Sequence, residues 1–491
     1  MGADSLDTDV IVVGAGPVGL MLAGELRLGG ADVIVLEQRD APTTESRAST
    51  LHARTMEIFD DRGLLAALGT PPNEPLGHFG GIPLDLTLPS SYPGQWKVPQ
   101  TRTEELLQEW ALSLGADIRR GHELTDLSVT EDFVEAETLG PGGVHRVRGR
   151  YLVGCDGEDS TVRRLSGASF PGQSARRELI RADVAGVTIP NRRFMRLEHG
   201  LAIAARRADG VTRVMVHEFG RAVEPRTGAP EFAEVVEIWK RVTGEDLSGG
   251  TPLWVNSFGD ANRLLARYRE GRVLFAGDAA HQQMPSGGQA LNLGLQDAVN
   301  LGWKLARQVG PYPSEELLDS YHSERHAVGE SVLANIRAQT LLLLGGAEVE
   351  PVRELLGELI GSPETRRQLA GMISGLDVRY EVGAGDYPLL GARLPYAELI
   401  TLEQGSTSTA ALLRTGRGVL LDLSGGHHAP LRAAAGAWAD RVTAVAALPV
   451  GDPLPGTSCV LVRPDGYVVW AGTDEAGAQS ALRRWFGPPA P

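Results

Sequence analysis

The strongest constraint on the fold lies near the N-terminus. Val10-Ile11-Val12-Val13 is a continuous β-branched run, the pattern of a strand buried on both faces of a parallel sheet. It runs directly into Gly14-Ala15-Gly16-Pro17-Val18-Gly19, and a helical pattern carrying Leu20, Ala23, Leu26 and Leu28 continues to Gly29-Gly30. A second strand, Asp32 to Leu36, then delivers Glu37. A lone GxGxxG says little, but strand, glycines, helix, strand and acid in this order form a dinucleotide-binding fingerprint. Gly14 permits the tight turn, Gly16 lets the backbone approach a pyrophosphate, and Gly19 lets helix and strand pack closely, with Ala15 and Pro17 completing the turn. The helix start supplies unpaired N–H groups and partial positive charge for phosphates. Glu37 can accept hydrogen bonds from a ribose diol and would repel a 2′-phosphate, so NADP fits this site poorly. This motif alone leaves FAD and NAD open.

Composition removes several classes. A chain of 491 residues is long enough for about three domains. With 42% apolar and 22% charged residues it should fold rather than stay disordered. A net charge of −15 repels phosphate backbones, so no nucleic-acid partner is expected. Cys155 and Cys459 are the only cysteines, too few for a disulfide framework or a zinc site, and this usage fits a reducing cytoplasm. No apolar stretch reaches the roughly 18 residues of a membrane span. The N-terminus carries Asp4, Asp7 and Asp9 without the basic region of a signal peptide. A cytoplasmic protein with no metal and no membrane partner is expected.

Two later motifs decide the cofactor. Tyr151-Leu152-Val153-Gly154-Cys155-Asp156-Gly157 reads as another strand ending in a turn, followed by Ser160, Val162 and Arg163. Then Arg272 to Phe275, a strand, leads into Ala276-Gly277-Asp278-Ala279-Ala280-His281. After it come Pro285, Gly287-Gly288-Gln289-Ala290-Leu291-Asn292 and a helix through Asp297 and Leu305. A strand again meets a helix start through glycines, far from the first fingerprint. Two anion-capable helix starts suit a long ligand with charge at both ends. FAD qualifies: the first helix takes its pyrophosphate, and the second can stabilise negative charge on the reduced ring system.

Together GAGPVG, CDGEDSTVRR and GDAAHQQMPSGGQALN resemble the FAD-dependent aromatic hydroxylases, group A flavoprotein monooxygenases of the p-hydroxybenzoate hydroxylase type. The resemblance spans roughly residues 8 to 385. His78-Phe79-Gly80-Gly81, Val98-Pro99-Gln100 and Tyr321-His322-Ser323-Glu324-Arg325 look like the aromatic-polyketide subgroup, nearest to angucycline hydroxylases. The resemblance implies an ADP half held by Gly14, Ala15, Gly16, Pro17, Gly19 and Glu37, with Arg47 near the pyrophosphate and Gln100 on the flavin side. It places Asp278 on the ribitol, and Pro285 with Gly287, Gly288, Gln289, Ala290, Leu291 and Asn292 beside the isoalloxazine. Asp156 and Arg163 match a motif tied to FAD and NAD(P)H, although the aspartate also suits a purely geometric role in the turn. The chain departs from the usual GGQG at Ala290: a left-handed backbone there would cost alanine about 1 kcal/mol, whereas a helical one would favour it.

The implied fold is α/β: a Rossmann-like FAD-binding domain (1–75, 100–170 and 270–385, with a helical segment at 313–375), an inserted antiparallel-sheet substrate domain (76–99 and 171–269) and a C-terminal thioredoxin-like domain (390–491). That last domain has no CxxC, so dithiol exchange is excluded. The implied reaction is NAD(P)H- and O2-dependent hydroxylation of an angucyclinone-like polycyclic phenol through a flavin C4a-hydroperoxide, with Pro285 beside the reacting oxygen and no catalytic base identified. Baeyer–Villiger oxygenation of a polyketide is the alternative on the same scaffold. Halogenation lacks the W-x-W-x-I-P motif, a flavin-free dehydrogenase would have no use for the second glycine-rich turn, and a non-enzymatic flavin binder would have little use for either. A homodimer is compatible with the extra domain. His281 beside the turn reads as structural rather than as a general base, Cys155 as an inert core thiol and His427-His428 as a surface turn; Phe79 and Trp96 flank a region that could roof an aromatic substrate, but each alone reads as core packing.

Overall fold

The computed structural model describes residues 6–44, 48–223, 228–401, 403, 405–451, 454, 456 and 458–490. The β-branched run forms the strand Thr8–Val13 at the middle of an eight-stranded sheet. It pairs in parallel with Val33–Glu37 on one side and Gly143–Gly154 on the other. Asp117–Arg120 and Val273–Phe275 extend the parallel part outward. Helices Pro17–Leu28 and Gln289–Val309 pack against each other beside this sheet, and its continuous apolar runs are buried in one large core with theirs. Such runs are what a parallel sheet covered by helices requires.

A second sheet of five antiparallel strands has the order Arg192–Leu197, Gly200–Arg206, Thr212–Glu218, Glu178–Ala185, Thr251–Gly259. Strand alternation gives it two distinct faces. Ile180, Ala182, Val214 and Val216 pack under helix Phe232–Thr243, while Leu179, Leu201 and Ile203 turn toward Met284 and the C-terminal half of helix Glu315–Leu344. Residues 76–99, expected to join this sheet, pair elsewhere. Leu76–Phe79 and Ile82–Asp85 form their own hairpin, and Gln95–Lys97 pairs with Thr50–His52. Short runs of three or four residues carry too little periodicity to show which partner they choose.

The segment expected to be helical from 313 to 375 is three α-helices, Glu315–Leu344, Glu350–Ile360 and Pro363–Ser374, the last two broken at Gly361-Ser362 and restarted by the helix-compatible Pro363. The C-terminal segment forms a six-stranded sheet in which Gly418–Asp422 and Val442–Pro449 are parallel and the remaining pairs antiparallel. Among the described residues no helix is long and apolar enough to cross a membrane.

Candidate active site

At the first turn Gly14 has φ +103°, and a Cβ there would lie 2.5 Å from the Cys155 carbonyl oxygen. A Cβ at Gly19 would lie 2.0 Å from the Gly14 carbonyl oxygen. The protein's own backbone therefore demands both glycines. Gly16 differs: its φ is −75° and a Cβ would meet nothing within 4 Å. It caps helix Pro17–Leu28 with no side chain on the leading N–H groups, and Pro17 occupies the first turn, where its missing N–H costs nothing. The space before Gly16 is a cradle that a pyrophosphate fits. Glu37 accepts the Ala15 N–H at 2.8 Å through one oxygen and the Arg39 N–H at 3.0 Å through the other, which holds the turn against the end of the second strand.

The second turn is built on a buried ion cluster. Asp297, fully buried on helix Gln289–Val309, accepts from Gly277 N at 3.2 Å, from His281 Nε2 at 2.8 Å and from Arg325 Nε at 2.7 Å. Burial would push its carboxyl up, but Arg325 and His281 outweigh that and hold it below the usual carboxylate range. His281 is thus a structural clamp. Asp278, next to Gly277, is exposed at the surface of the turn. Gly288, left-handed at φ +73°, starts the long helix with no side-chain cap, a second helix start whose leading N–H groups no capping side chain takes. Gln289, Ala290 and Leu291 lie in the helix itself, so Ala290 sits where alanine is favoured. Asn292 uses all its hydrogen-bonding capacity: its Oδ1 accepts from His52 N and Thr55 Oγ1, and its Nδ2 donates to the carbonyls of Thr50 and Gly288. It staples strand Thr50–His52 to the helix start.

The other expected residues are placed as follows. Asp156 accepts from Ser160 Oγ at 2.6 Å and from Val162 N at 3.0 Å, so its carboxylate caps the short helix Thr161–Ser166. Burial raises its pKa against those bonds. Arg163 donates to the Ala279 carbonyl at 3.0 Å and stacks 4.1 Å above Phe170, tying that helix to the second turn. Gln100 accepts from Ala48 N at 3.2 Å and donates to Glu104 at 2.8 Å. Arg47 lies outside the described residues. Cys155 is buried, and burial raises its thiol pKa well above the ordinary value, as an inert core thiol requires. Phe79 is buried against Leu342, and Trp96 packs on the main core with its Nε1 bonded to the Tyr92 carbonyl.

Pro285, Gly287 and Gly288 face a cavity of about 560 Å3, whose far side is the antiparallel sheet at Phe194 and Ile203. Two histidines stand near it, His78 of the His78-Phe79-Gly80-Gly81 motif, to which no site role was given, and His52, which no motif contained. His78 lines the cavity, while His52 stands behind the turn, fully buried with Nε2 2.8 Å from the Gly287 carbonyl. Burial holds both neutral, each with a pKa lowered to about 4. His52 occupies a three-residue strand and carries no spacing signal, so only the fold reveals it.

Comparison with known proteins agrees with this geometry. Residues 7–336 match the family model of the FAD binding domain, and residues 387–489 that of the aromatic-ring hydroxylase C-terminal domain. The chain is 43% identical to a 12-dehydrotetracycline 5-monooxygenase/anhydrotetracycline 6-monooxygenase of Streptomyces rimosus, across 98% of this chain and 99% of that protein. It is 41% identical to a dialkyldecalin synthase of Streptomyces rugosporus, over 98% of this chain and 99% of that one. The crystal structure of an aromatic hydroxylase from angucycline biosynthesis superposes with a TM-score of 0.94 at 50% identity, covering 98% of this chain and 100% of that one. Both uncapped helix starts lie within the residues that match the FAD binding domain, and the chain belongs to the FAD-dependent aromatic-ring hydroxylases.

Proposed function

We propose that the protein hydroxylates a polycyclic phenol of the aromatic-polyketide type, with NAD(P)H as reductant and O2 as oxidant. One oxygen atom enters the ring, the other leaves as water, and NAD(P)H supplies the two electrons. The observation that carries this reading is the cavity itself. One wall is the Pro285–Gly288 turn at a helix start, the opposite wall is a sheet that presents Phe194, Ile203 and Ala204 beside Arg192, Arg193 and Arg206, and the volume suits several fused rings.

FAD supplies the electron transfer and oxygen activation; the protein's part is to bind, orient and exclude water. The start of helix Gln289–Val309 directs partial positive charge at the turn, favouring negative charge on whatever lies there. Asn292 and His52 keep that turn rigid. Leu179, Leu201, Met284 and Leu343 form an apolar cluster against which Phe194 and Ile203 of the cavity wall are packed.

The test is incubation of the FAD-loaded protein with NADPH or NADH, oxygen-18 gas and a panel of polycyclic phenols, read by mass spectrometry. A product with one labelled oxygen and an intact skeleton is expected. A labelled lactone would assign Baeyer–Villiger chemistry instead. A rearranged product without label would place the protein with its dialkyldecalin synthase relative rather than with the hydroxylases.

A further inference from the structure

The cavity carries a charge opposite to that of the molecule. The chain has a net charge of −15, yet the cavity is lined by Lys97, Arg192, Arg193 and Arg206, with Glu74 as its lone carboxylate. Glu74 is paired to Lys97 at 3.2 Å and Arg192 to Glu245 outside the lining, while Arg193 and Arg206 have no carboxylate partner among the described residues. The two surplus cations are exposed side chains of the lining, Arg193 with one nitrogen on the Leu76 carbonyl, and together they make this part of an acidic surface locally favourable to an anion.

His78 sharpens this. It lies on the hairpin strand Leu76–Phe79, closed by Gly80 and Gly81 at φ +57° and +83°, the two positive values that a two-residue hairpin turn requires. The Gly81 N–H donates to His78 Nδ1 at 3.2 Å. A backbone amide can only donate, so Nδ1 must present its lone pair, and the neutral ring then carries its proton on Nε2. The neutral ring is the stable form: burial first, then Arg193, Lys97 and His52, lower its pKa to about 4.

The ring is also held in place. Phe194, with its centroid 4.0 Å from that of His78, has φ +48°, the one positive value at a non-glycine among the described residues. It sits where the pairing of Arg192–Leu197 with Gly200–Arg206 slips register. Strained backbone of this kind persists where its surroundings over-determine it, and it clusters at ligand clamps. Gln339 accepts from both Gly80 N and Ser286 Oγ, each at 3.3 Å, so the hairpin is coupled to the segment beside Pro285.

We propose that His78 is a specificity-determining residue whose Nε2–H, backed by Lys97 and Arg193, receives an acidic oxygen of the substrate, a phenol or enol bound as its anion. This rests on the hydroxylase reading and names the substrate feature that the site selects. On binding, the substrate O–H bond breaks and its proton leaves to solvent, while His78 keeps its own proton and acts only as donor. The charged or titratable groups facing His78 are Arg193 and Lys97, with Glu74 beyond Lys97 and His52 behind, the last held neutral like His78 itself.

The test uses the FAD-loaded protein without reductant, titrated with 1,8-dihydroxyanthraquinone and with its dimethyl ether. The phenol is expected to bind with its anion absorbance at a pH where the free probe is neutral, its ionisation constant raised about tenfold or more, one pKa unit or more. His78→Phe keeps the ring contact with Phe194 and removes the donor. It should weaken phenol binding about tenfold and return the probe toward its neutral spectrum, the dimethyl ether changing less than about twofold. His78→Gln restores a donor near the Nε2 position and should recover most of the anion signal. Retained FAD absorbance in both variants separates these effects from loss of the fold. A wild-type protein that binds the phenol neutral or not at all, or an undiminished anion band in His78→Phe, overturns the proposal. Because nothing turns over in this measurement, anion binding without any later oxygenation would refute only the hydroxylase reading, and oxygenation of a phenol bound neutral would refute only the role of His78.

Discussion

Gly14 and Gly16 stand two residues apart and are glycine for different reasons. Gly14→Ala forces a Cβ onto the Cys155 carbonyl at a φ that alanine avoids, so the first βα connection must shift. Its unfolding free energy should drop by at least about 2 kcal/mol, measured by denaturant titration of the apoprotein. Gly16→Ala meets no protein atom and leaves an ordinary extended backbone. The same titration should find its apoprotein within about 0.5 kcal/mol of the parent, while flavin fluorescence finds FAD affinity reduced tenfold or more, because the new methyl group enters the space of the pyrophosphate. Equal losses at both positions would mean that Gly16 also has a structural role. The glycine spacing marked both residues in the sequence, but their separate causes appear only when the distance to the Cys155 carbonyl is known.

Helix Gln289–Val309 is the element on which the second turn depends. Its N-cap Gly288 lines the cavity, and about two turns along, Asp297 accepts from Gly277, His281 and Arg325. Asp297→Asn is nearly isosteric but leaves the fully buried Arg325 guanidinium without a counter-charge. Removing one partner of such a pair costs about 3–5 kcal/mol, so the urea midpoint should fall accordingly. His281→Gln should be milder, by about 1–2 kcal/mol, with the kcat of the holoenzyme changed less than tenfold, since His281 holds the turn and does not reach the cavity. A loss of kcat far beyond the loss of stability would instead assign His281 a role as a base. The strand and helix of this region were legible from β-branched runs and glycines. The cluster was not, because residues 277, 281, 297 and 325 share no local periodicity and meet only through packing.

Across the whole molecule, buried charge joins the C-terminal segment to the flavin-binding part. Arg463 donates both terminal nitrogens to Glu324 on helix Glu315–Leu344, at 2.6 and 2.9 Å, and the same carboxylate accepts from Lys304 at 2.8 Å and from Asn300 at 2.7 Å. Arg463 is surrounded by Trp303, Tyr380, Tyr467 and Trp485. On another flank Arg62 holds Glu25 bidentately and donates to the carbonyls of Leu413 and Pro464. Glu324→Gln should therefore destabilise by about 3–5 kcal/mol and separate one unfolding transition into two, a change that calorimetry would show. The pH response is also a property of the whole molecule. His52 and His78 each have a folded pKa lowered to about 4 from the ordinary 6.5, so between those values the unfolded chain binds more protons. Stability contributed by their neutral forms is present above pH 6.5 and is lost as pH falls toward 4. The thermal midpoint should fall over that interval, and His52→Gln, which cannot be protonated there, should flatten the fall. A profile unchanged by His52→Gln would contradict the burial of that ring.

The sequence by itself determined the parallel sheet, the two glycine-guided helix starts and hence FAD, because these depend on local steric demands written in consecutive residues. Gly14, Gly19, the β-branched strand and Gly288 each answer to a backbone constraint that leaves few other residues acceptable. The pairing of residues 76–99 came from tertiary structure alone, since strands of three or four residues take their partners from packing rather than from pattern. The same holds for the neutral state of His52 and His78 and for the cation-lined wall of the cavity. Burial and proximity set a group's charge, and both are sums over residues hundreds of positions apart.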